Sequence, residues 1–264
     1  MAEVAVLIPH YNAIDALIKS IKSIDEDIEI DVYIVDDGSS LKLKPKTSDF
    51  NFYKSGKIFL EEYDTNRGIE HALNYGLEKI LKKEYNFIAR LDCADTCLKN
   101  RFSKQIAFLK NNVDVSFIGT WVNIVTEKNK FLYIHKTPEE HKDIKNKMYL
   151  NAMFIHPTIC FRSNIISEVG YYPVDFKAAE DYAFFFNVIK KVKTANIPEA
   201  LLNVETSDLG ISGSQRKQQV KMRIKIILKH FYFGFYPVYG LIRNILLLLV
   251  SRRLSTALKK ILYQ

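Results

Sequence analysis

The chain has 264 residues, 48% of them hydrophobic, and carries a formal charge of +8 with 38 Lys and Arg against 30 Asp and Glu. That length can bury a substantial core, and the lack of internal repeats or long Pro, Ser or Gly tracts excludes a disordered or repetitive protein. The basic balance favours a phosphate ligand or an anionic membrane over nucleic acid, since lysines are spread along the chain and gather clearly only after Gln215.

In chain order, residues 4–9 predict a strand, 13–23 an amphipathic helix and 31–35 a second strand closing on Asp36-Asp37-Gly38-Ser39-Ser40, a βαβ opening. Its early acid and short apolar run make the N-terminus a buried strand instead of a secretory leader, so a cytoplasmic protein is expected. A strand at 57–62, the turn Thr65-Asn66-Arg67-Gly68, a helix at 69–82 and a strand at 86–91 follow. Residues 100–111 predict a helix, 115–125 a strand, 137–150 a polar helix or loop, 181–193 a helix and 201–204 a strand. Alternating strands and helices imply an α/β fold with a mostly parallel central sheet and helices on both faces. Ligands of such sheets bind beyond the carboxyl ends of the strands, where Pro9-His10-Tyr11-Asn12, Asp36-Asp37 and the acids of 92–95 all fall. Cys93, Cys97 and Cys160 lack zinc-type pairing and read as small reduced thiols.

Four carboxylates stand out. Asp92 and Asp95 end a strand and suit a hard divalent cation, while Glu180 and Asp181, far away in sequence, suit proton transfer. Each also has a structural reading, because acids at strand ends often cap the next helix and acids opening a helix complement its dipole.

In these residues the sequence resembles the family 2 glycosyltransferases with the GT-A fold. Val6-Leu7-Ile8-Pro9-His10-Tyr11-Asn12 and Val32-Tyr33-Ile34-Val35-Asp36-Asp37-Gly38-Ser39-Ser40 are similar to that family's opening. Asn66-Arg67-Gly68 with Ala72, Asn74 and Gly76, then Ala89-Arg90-Leu91-Asp92-Cys93-Ala94-Asp95 with Asn100-Arg101-Phe102 and Gln105, resemble its next two blocks. His156-Pro157-Thr158, Val169-Gly170-Tyr171-Tyr172 and Ala179-Glu180-Asp181-Tyr182 resemble its acceptor half, so the likeness runs from residue 3 to about 205.

The resemblance implies an inverting transfer of a sugar from a nucleotide diphosphate donor, with a UDP-sugar expected, to a saccharide or lipid-linked saccharide in surface polysaccharide synthesis. It implies that Pro9, Tyr11 and Asp37 line the base pocket, that Arg67 lies near the diphosphate, and that Asp92 and Asp95 serve the ribose and a Mn2+ or Mg2+ ion, with Asp95 in direct contact. Asp181 is then the catalytic base and Glu180 its neighbour or an acceptor contact; His156 either contacts substrate or orients the loop before Pro157. The family commonly shows D-x-D-D where this chain has Asp92-Cys93-Ala94-Asp95, so one usual acid is alanine, and His10 replaces a small hydroxyl residue.

The expected organisation is a catalytic domain over residues 1–206, with a nucleotide-sugar half at 1–98 and an acceptor half at 99–206, followed by a helical tail at 207–264. Residues 207–214 read as a polar connector. Beyond them Lys217, Lys221, Arg223, Lys225, Arg243, Arg252, Arg253, Lys259 and Lys260 flank apolar blocks too short to span a bilayer. The tail is expected to lie on the anionic inner face of the cell membrane, or else to pack onto the catalytic domain or a homodimer partner. A nucleotidyltransferase would need a Gly-rich basic loop after the first strand, where Pro9-His10-Tyr11-Asn12 stands, and an inactive scaffold would retain nucleotide binding without turnover.

Overall fold

The computed structural model describes residues 2–205 and 216–249. The first half alternates strands β1 (Val4–His10), β2 (Ile30–Asp36), β3 (Ile58–Glu62) and β4 (Phe87–Arg90) with helices α1 (Ile14–Lys22) and α2 (Ile69–Ile80). The second half holds β5 (Thr96–Cys97), α3 (Arg101–Asn111), β6 (Val115–Val125), β7 (Phe131–His135), α4 (His141–Lys147), β8 (Cys160–Arg162), α5 (Ile166–Val169), α6 (Glu180–Lys191) and β9 (Lys193–Glu205). Two further helices, α7 (Arg216–Lys229) and α8 (Phe235–Leu249), close the described chain.

All strands join one sheet in the order β3-β2-β1-β4-β8-β6-β9-β5, with β7 on β6. The expected parallel pairing holds among β1 to β4 and again between β6 and β9. The sheet as a whole is mixed, because β8 runs antiparallel to both β4 and β6 and β5 antiparallel to β9. Strand β8 enters the sheet from the turn His156–Thr158 in the direction opposite to β4 and β6.

The two-residue period of β1 divides the core. Leu7, with Tyr33 and Val35 of β2, meets Leu73 and Leu77 of α2, and that layer continues through Phe117, Phe161, Phe184 and Phe185. Val4, Val6 and Ile8 face the other way, onto Leu17 and Ile21 of α1 and Phe102 and Ile106 of α3. Gly76 permits the close fit of α2, since a Cβ there would lie 2.2 Å from Leu7 Cδ1. With both faces covered, β1 is buried almost throughout, and the polar loops leaving β1, β2 and β4 are pushed to one rim.

Helices α7 and α8 pack on the second half of the sheet domain. Tyr149 Oη donates to His230 O at 2.7 Å, the Arg243 guanidinium donates to Leu150 O, and the His230 ring stacks on Phe186 at 4.9 Å. Among the described residues no helix is long and apolar enough to cross a membrane. The expected connector at 207–214, together with Arg252, Arg253, Lys259 and Lys260, lies outside the described residues.

Candidate active site

The rim is assembled by hydrogen bonds between loops that are distant in sequence. His10 turns into the protein: Ala13 N donates to its Nε2 at 3.0 Å, so Nδ1 holds the proton and donates to Asp36 Oδ1 at 2.7 Å. Asp36 also accepts from Ser39 N and Oγ, at 3.1 and 2.5 Å, and Asn12 Oδ1 accepts from Ser40 N at 2.9 Å. His10 thus braces the two loops, and the adjacent Tyr11 is left half exposed over the cleft.

Asp37 fixes the third loop. Its Oδ1 accepts from Arg67 N at 2.8 Å and its Oδ2 from Gly68 N at 2.9 Å, and each oxygen retains acceptor capacity for a ligand. The loops approach so closely that a Cβ on Gly38, at φ 73°, would lie 2.3 Å from Thr65 C, which leaves only glycine unstrained there. The Arg67 guanidinium stacks over Tyr63, 4.4 Å from the ring centre. Pro9, Tyr11, Asp37 and Arg67 line one side of a cleft of about 490 Å³, and Lys177, Ala178 and Glu180 line the other.

Asp92, Asp95, His156 and Asp181 are not among the residues lining this cleft. Asp92 Oδ1 accepts from Arg90 Nη2 at 2.5 Å. Asp95 is buried, and its Oδ1 accepts from Glu205 N at 3.3 Å. Burial first, and then the charge of Asp92, hold the Asp95 carboxyl well above the usual carboxylate range. Among the described residues no cluster of three or more His, Cys, Asp and Glu forms a complete metal site. Two carboxylates, one of them buried beside its neighbour's charge, nevertheless fit a Mn2+ or Mg2+ ion, for which diphosphate oxygens and water would complete the oxygen ligands such cations prefer. Ala94, between them in the chain, sits at φ 78°, in the left-handed region.

On the opposite wall, α6 begins with Glu180 and Asp181. A helix N-terminus favours carboxylate anions, but burial outweighs it here. Burial and then the Asp181 charge push Glu180 up to about 7, and its Oε2 has no hydrogen-bond partner among the described residues. Asp181, half-buried, is raised by burial while its Oδ1 accepts from Tyr182 N at 2.6 Å. His156 Nε2 and the Tyr172 hydroxyl form a 2.9 Å hydrogen bond, and burial followed by the Arg90 charge keeps this imidazole neutral by lowering its pKa well below the ordinary value.

Several residues carried by the resemblance act as braces. Asn74 Oδ1 accepts from Tyr172 N at 2.8 Å and its Nδ2 donates to Tyr172 O at 2.9 Å, which ties the two halves together. Arg101 Nη2 bridges Arg90 O and Pro157 O at 2.6 Å each, and Gln105 Nε2 donates to Thr158 O at 2.7 Å. The sequence assigned no role to Glu70 and Lys177, which line the cleft, or to Arg90. Arg90 carried a signal, a charge ending the otherwise apolar strand Phe87-Ile88-Ala89-Arg90. Lys177 carried none, since it stands in an irregular stretch before α6.

The chain is 28% identical over 207 residues to the amylovoran biosynthesis glycosyltransferase AmsE of Erwinia amylovora, covering 76% of this chain and 74% of that one. It is 27% identical over 244 residues to the UDP-Gal:alpha-D-GlcNAc-diphosphoundecaprenol beta-1,3-galactosyltransferase of Escherichia coli, covering 89% and 84%. Among solved structures, the mannosyltransferase PcManGT from Pyrobaculum calidifontis, in complex with GDP-Man and Mn2+, superposes with a TM-score of 0.64 over 94% of this chain and 70% of its own. At 14% identity that likeness speaks for the fold alone. The sequence model described as glycosyl transferase family 2 matches residues 5–170, a span that contains the three rim loops, both candidate metal acids and His156, and the chain belongs to that family.

Proposed function

We propose that the protein is an inverting glycosyltransferase that moves a sugar from a UDP-sugar to a hydroxyl of a saccharide or lipid-linked saccharide in surface polysaccharide synthesis. The observation that carries this reading is the cleft itself, with Pro9, Tyr11, Asp37 and Arg67 on one wall and Glu180, next to Asp181, on the other. Tyr11 offers a ring for the base, Asp37 an acceptor for its N–H group and Arg67 a positive charge for the diphosphate. The galactosyltransferase relative, named for a UDP donor and a diphosphoundecaprenol acceptor, supports both substrate assignments.

Asp181 acts as general base. Burial raises the proton affinity of both acids, Glu180 up to about 7 with the Asp181 charge adding to it, which suits this pair to accepting a proton. Asp181 takes the proton of the acceptor hydroxyl as its oxygen bonds to the anomeric carbon; the bond from that carbon to the diphosphate oxygen breaks on the opposite face, and UDP leaves. Asp92 and Asp95 would hold Mn2+ or Mg2+, which when bound neutralises charge on the departing diphosphate. Thermal unfolding with UDP, GDP, CDP or dTDP, each with manganese or EDTA, tests donor and metal together. A nucleotide at a hundredfold its dissociation constant adds about 2.7 kcal/mol of stability. A manganese-dependent shift with UDP alone is expected; a shift with GDP alone would replace the donor, and none at all would favour an inactive scaffold.

The same reading places the enzyme on the inner face of the cell membrane. In α8, Phe235, Val238, Tyr239, Ile242, Ile245 and Leu246 are exposed at helical spacing and make one apolar stripe. Lys217, Lys221 and Lys225 form an exposed basic stripe on α7, against which α8 packs. Eleven of the 38 Lys and Arg and none of the 30 Asp and Glu follow Asp208, so that segment carries +11 and the rest of the chain −3. This pairing of apolar stripe and positive charge suits an anionic bilayer surface. Wild-type protein should pellet with phosphatidylglycerol vesicles and not with phosphatidylcholine ones, and Ile242→Glu with Ile245→Glu should abolish pelleting. If those changes instead turn a dimer into a monomer on a sizing column, the stripe is a subunit interface.

A further inference from the structure

Strand β7 is the least covered strand of the sheet. Every residue from 127 to 136 is exposed, and the consecutive apolar side chains Phe131, Leu132, Tyr133 and Ile134 keep 43% to 54% of their surface in solvent. Successive residues of a strand point to opposite faces, so β7 is apolar on both, where a sheet open to water is normally polar on one. One edge is paired, Val122 with His135, Asn123 with Ile134 and Ile124 with Tyr133. The other edge meets no strand among the described residues. An apolar edge strand of this kind is a liability in water and calls for a cover.

Register puts the ribbon of β6 and β7 at the rim. Strand β9 runs along one edge of β6, while on the other edge β8 takes Phe117 and Ile118 and β7 takes residues 122–125. Strand β7 therefore continues the lane of β8 beyond the carboxyl ends of the strands, next to the lane of β4, which ends at Arg90 just before Asp92. At the base of the ribbon Val125 pairs with both Phe131 and Glu205, and Glu205 N donates to Asp95 Oδ1 at 3.3 Å.

Charge selects the cover. From Lys128 to Pro138 the chain holds Lys128, Lys130 and Lys136 and no acid, so lysines bracket the apolar run on both sides. Their long stems let the ammonium groups reach lipid phosphates while the run between them enters the acyl boundary. A second copy of the chain fits less well, because antiparallel pairing of two β7 strands about Tyr133 sets Lys130 opposite Lys136.

We propose that the ribbon of β6 and β7 is a membrane-contact element that lies in the interface of an anionic phospholipid bilayer. Phe131, Leu132, Tyr133 and Ile134 enter to headgroup depth, where water still reaches the unpaired backbone edge, and the three lysines meet the phosphates. The contact rests on the membrane placement proposed for α8 and adds a second, separate anchor at the rim, which holds the cleft against the surface where a lipid-linked saccharide is presented.

Tryptophan fluorescence reads the two anchors apart. Trp121 is the only tryptophan, half-buried at the ribbon with Nε1 donating to Thr137 O at 2.9 Å, so the wild-type chain serves as the blank. Tyr133→Trp and Tyr239→Trp place a reporter on β7 and on α8, and phosphatidylglycerol vesicles with brominated acyl chains quench a ring that enters them. Quenching above the blank is expected in both. Quenching in Tyr239→Trp alone overturns the ribbon contact and leaves the α8 stripe standing. Quenching in Tyr133→Trp alone upholds the ribbon and overturns the stripe; quenching in neither removes the membrane placement altogether. Leu132→Thr with Ile134→Thr, which keeps residues that favour strands, should weaken binding to phosphatidylglycerol vesicles about tenfold to a hundredfold, as expected for two partly buried aliphatic side chains. Unchanged binding would overturn the proposal, and a wild-type dimer that this variant turns into a monomer would give β7 to a second copy instead.

Discussion

The two walls of the cleft are built differently. On the donor wall, polar side chains stand on loops leaving parallel strands and are held by neighbouring groups: Asp37 by the Arg67 and Gly68 amides, Asp36 by His10 and Ser39. On the acceptor wall, Glu180 and Asp181 start a helix whose next turn is Tyr182, Phe184, Phe185 and Phe186, all buried. Hydrogen bonds fix the shape of the first wall, as the proposed nucleotide recognition requires. Burial raises the proton affinity of the second, as the proposed proton transfer requires. Asn74, bonded twice to Tyr172, ties α2 to the segment that precedes α6.

The largest test of that division is Asp181→Asn. If Asp181 is the base, the turnover number should fall about 10²- to 10⁴-fold, the range for general base catalysis, with UDP affinity within about twofold of wild type. Steady-state kinetics alongside calorimetry checks both. A large loss of UDP binding would mean that the two walls are not functionally separate.

Next in size is the pH dependence of stability contributed by Glu180. Its folded value is raised from the ordinary 4.5 to about 7. Below about pH 4.5 the group is protonated in both states and its favourable contribution is complete. Between about 4.5 and 7 the unfolded chain ionises while the folded one keeps its proton, so stability falls as pH rises, by about 3 kcal/mol in total. Glu180→Gln should remove that part of the slope in urea denaturation from pH 4 to pH 8. An unchanged slope would show that Glu180 ionises as freely as an exposed acid, and that the acceptor wall does not work by burial.

The same division explains what could be read from the sequence. The donor wall is local: each strand end and its loop are contiguous, so Pro9, Tyr11 and Asp37 could be placed at one rim from periodicity and turn chemistry; Arg67 came from the family resemblance, and all four line the cleft, whereas Asp92 and Asp95, expected at the same rim, do not. Strand β6 was legible to the residue because β-branched and aromatic residues dominate Val115–Val125 and no proline breaks it. The acceptor wall depends on long-range packing. Strand β8, with three residues, has no periodicity to detect, and β7 is exposed along its whole length, so neither was anticipated. Strand β9 was foreseen only over residues 201–204, since Lys193, Asn196 and Pro198 mask its beginning. Nor does sequence reveal that Arg101 has its donors engaged while Nε and Nη1 of Arg90 have no partner among the described residues, a contrast that exists only once the strands are assembled.

The smallest expected effect concerns the junction between the walls, where Ala94 stands at the family's usual acid position. Aspartate tolerates the left-handed backbone better than alanine, so Ala94→Asp adds no conformational strain at φ 78°. It does add a third carboxylate beside Asp92 and Asp95, whose own proton affinity is already raised by burial and by Asp92. Without metal the added repulsion should lower stability, by about 0.5 to 1 kcal/mol at a partly solvated site. With manganese and UDP the extra oxygen ligand should reverse that loss, so the melting-temperature difference between manganese and EDTA should be wider in Ala94→Asp than in wild type. A difference of the same width would mean that Asp92 and Asp95 already provide all the protein ligands the cation uses, and that Ala94 marks a site working with two carboxylates.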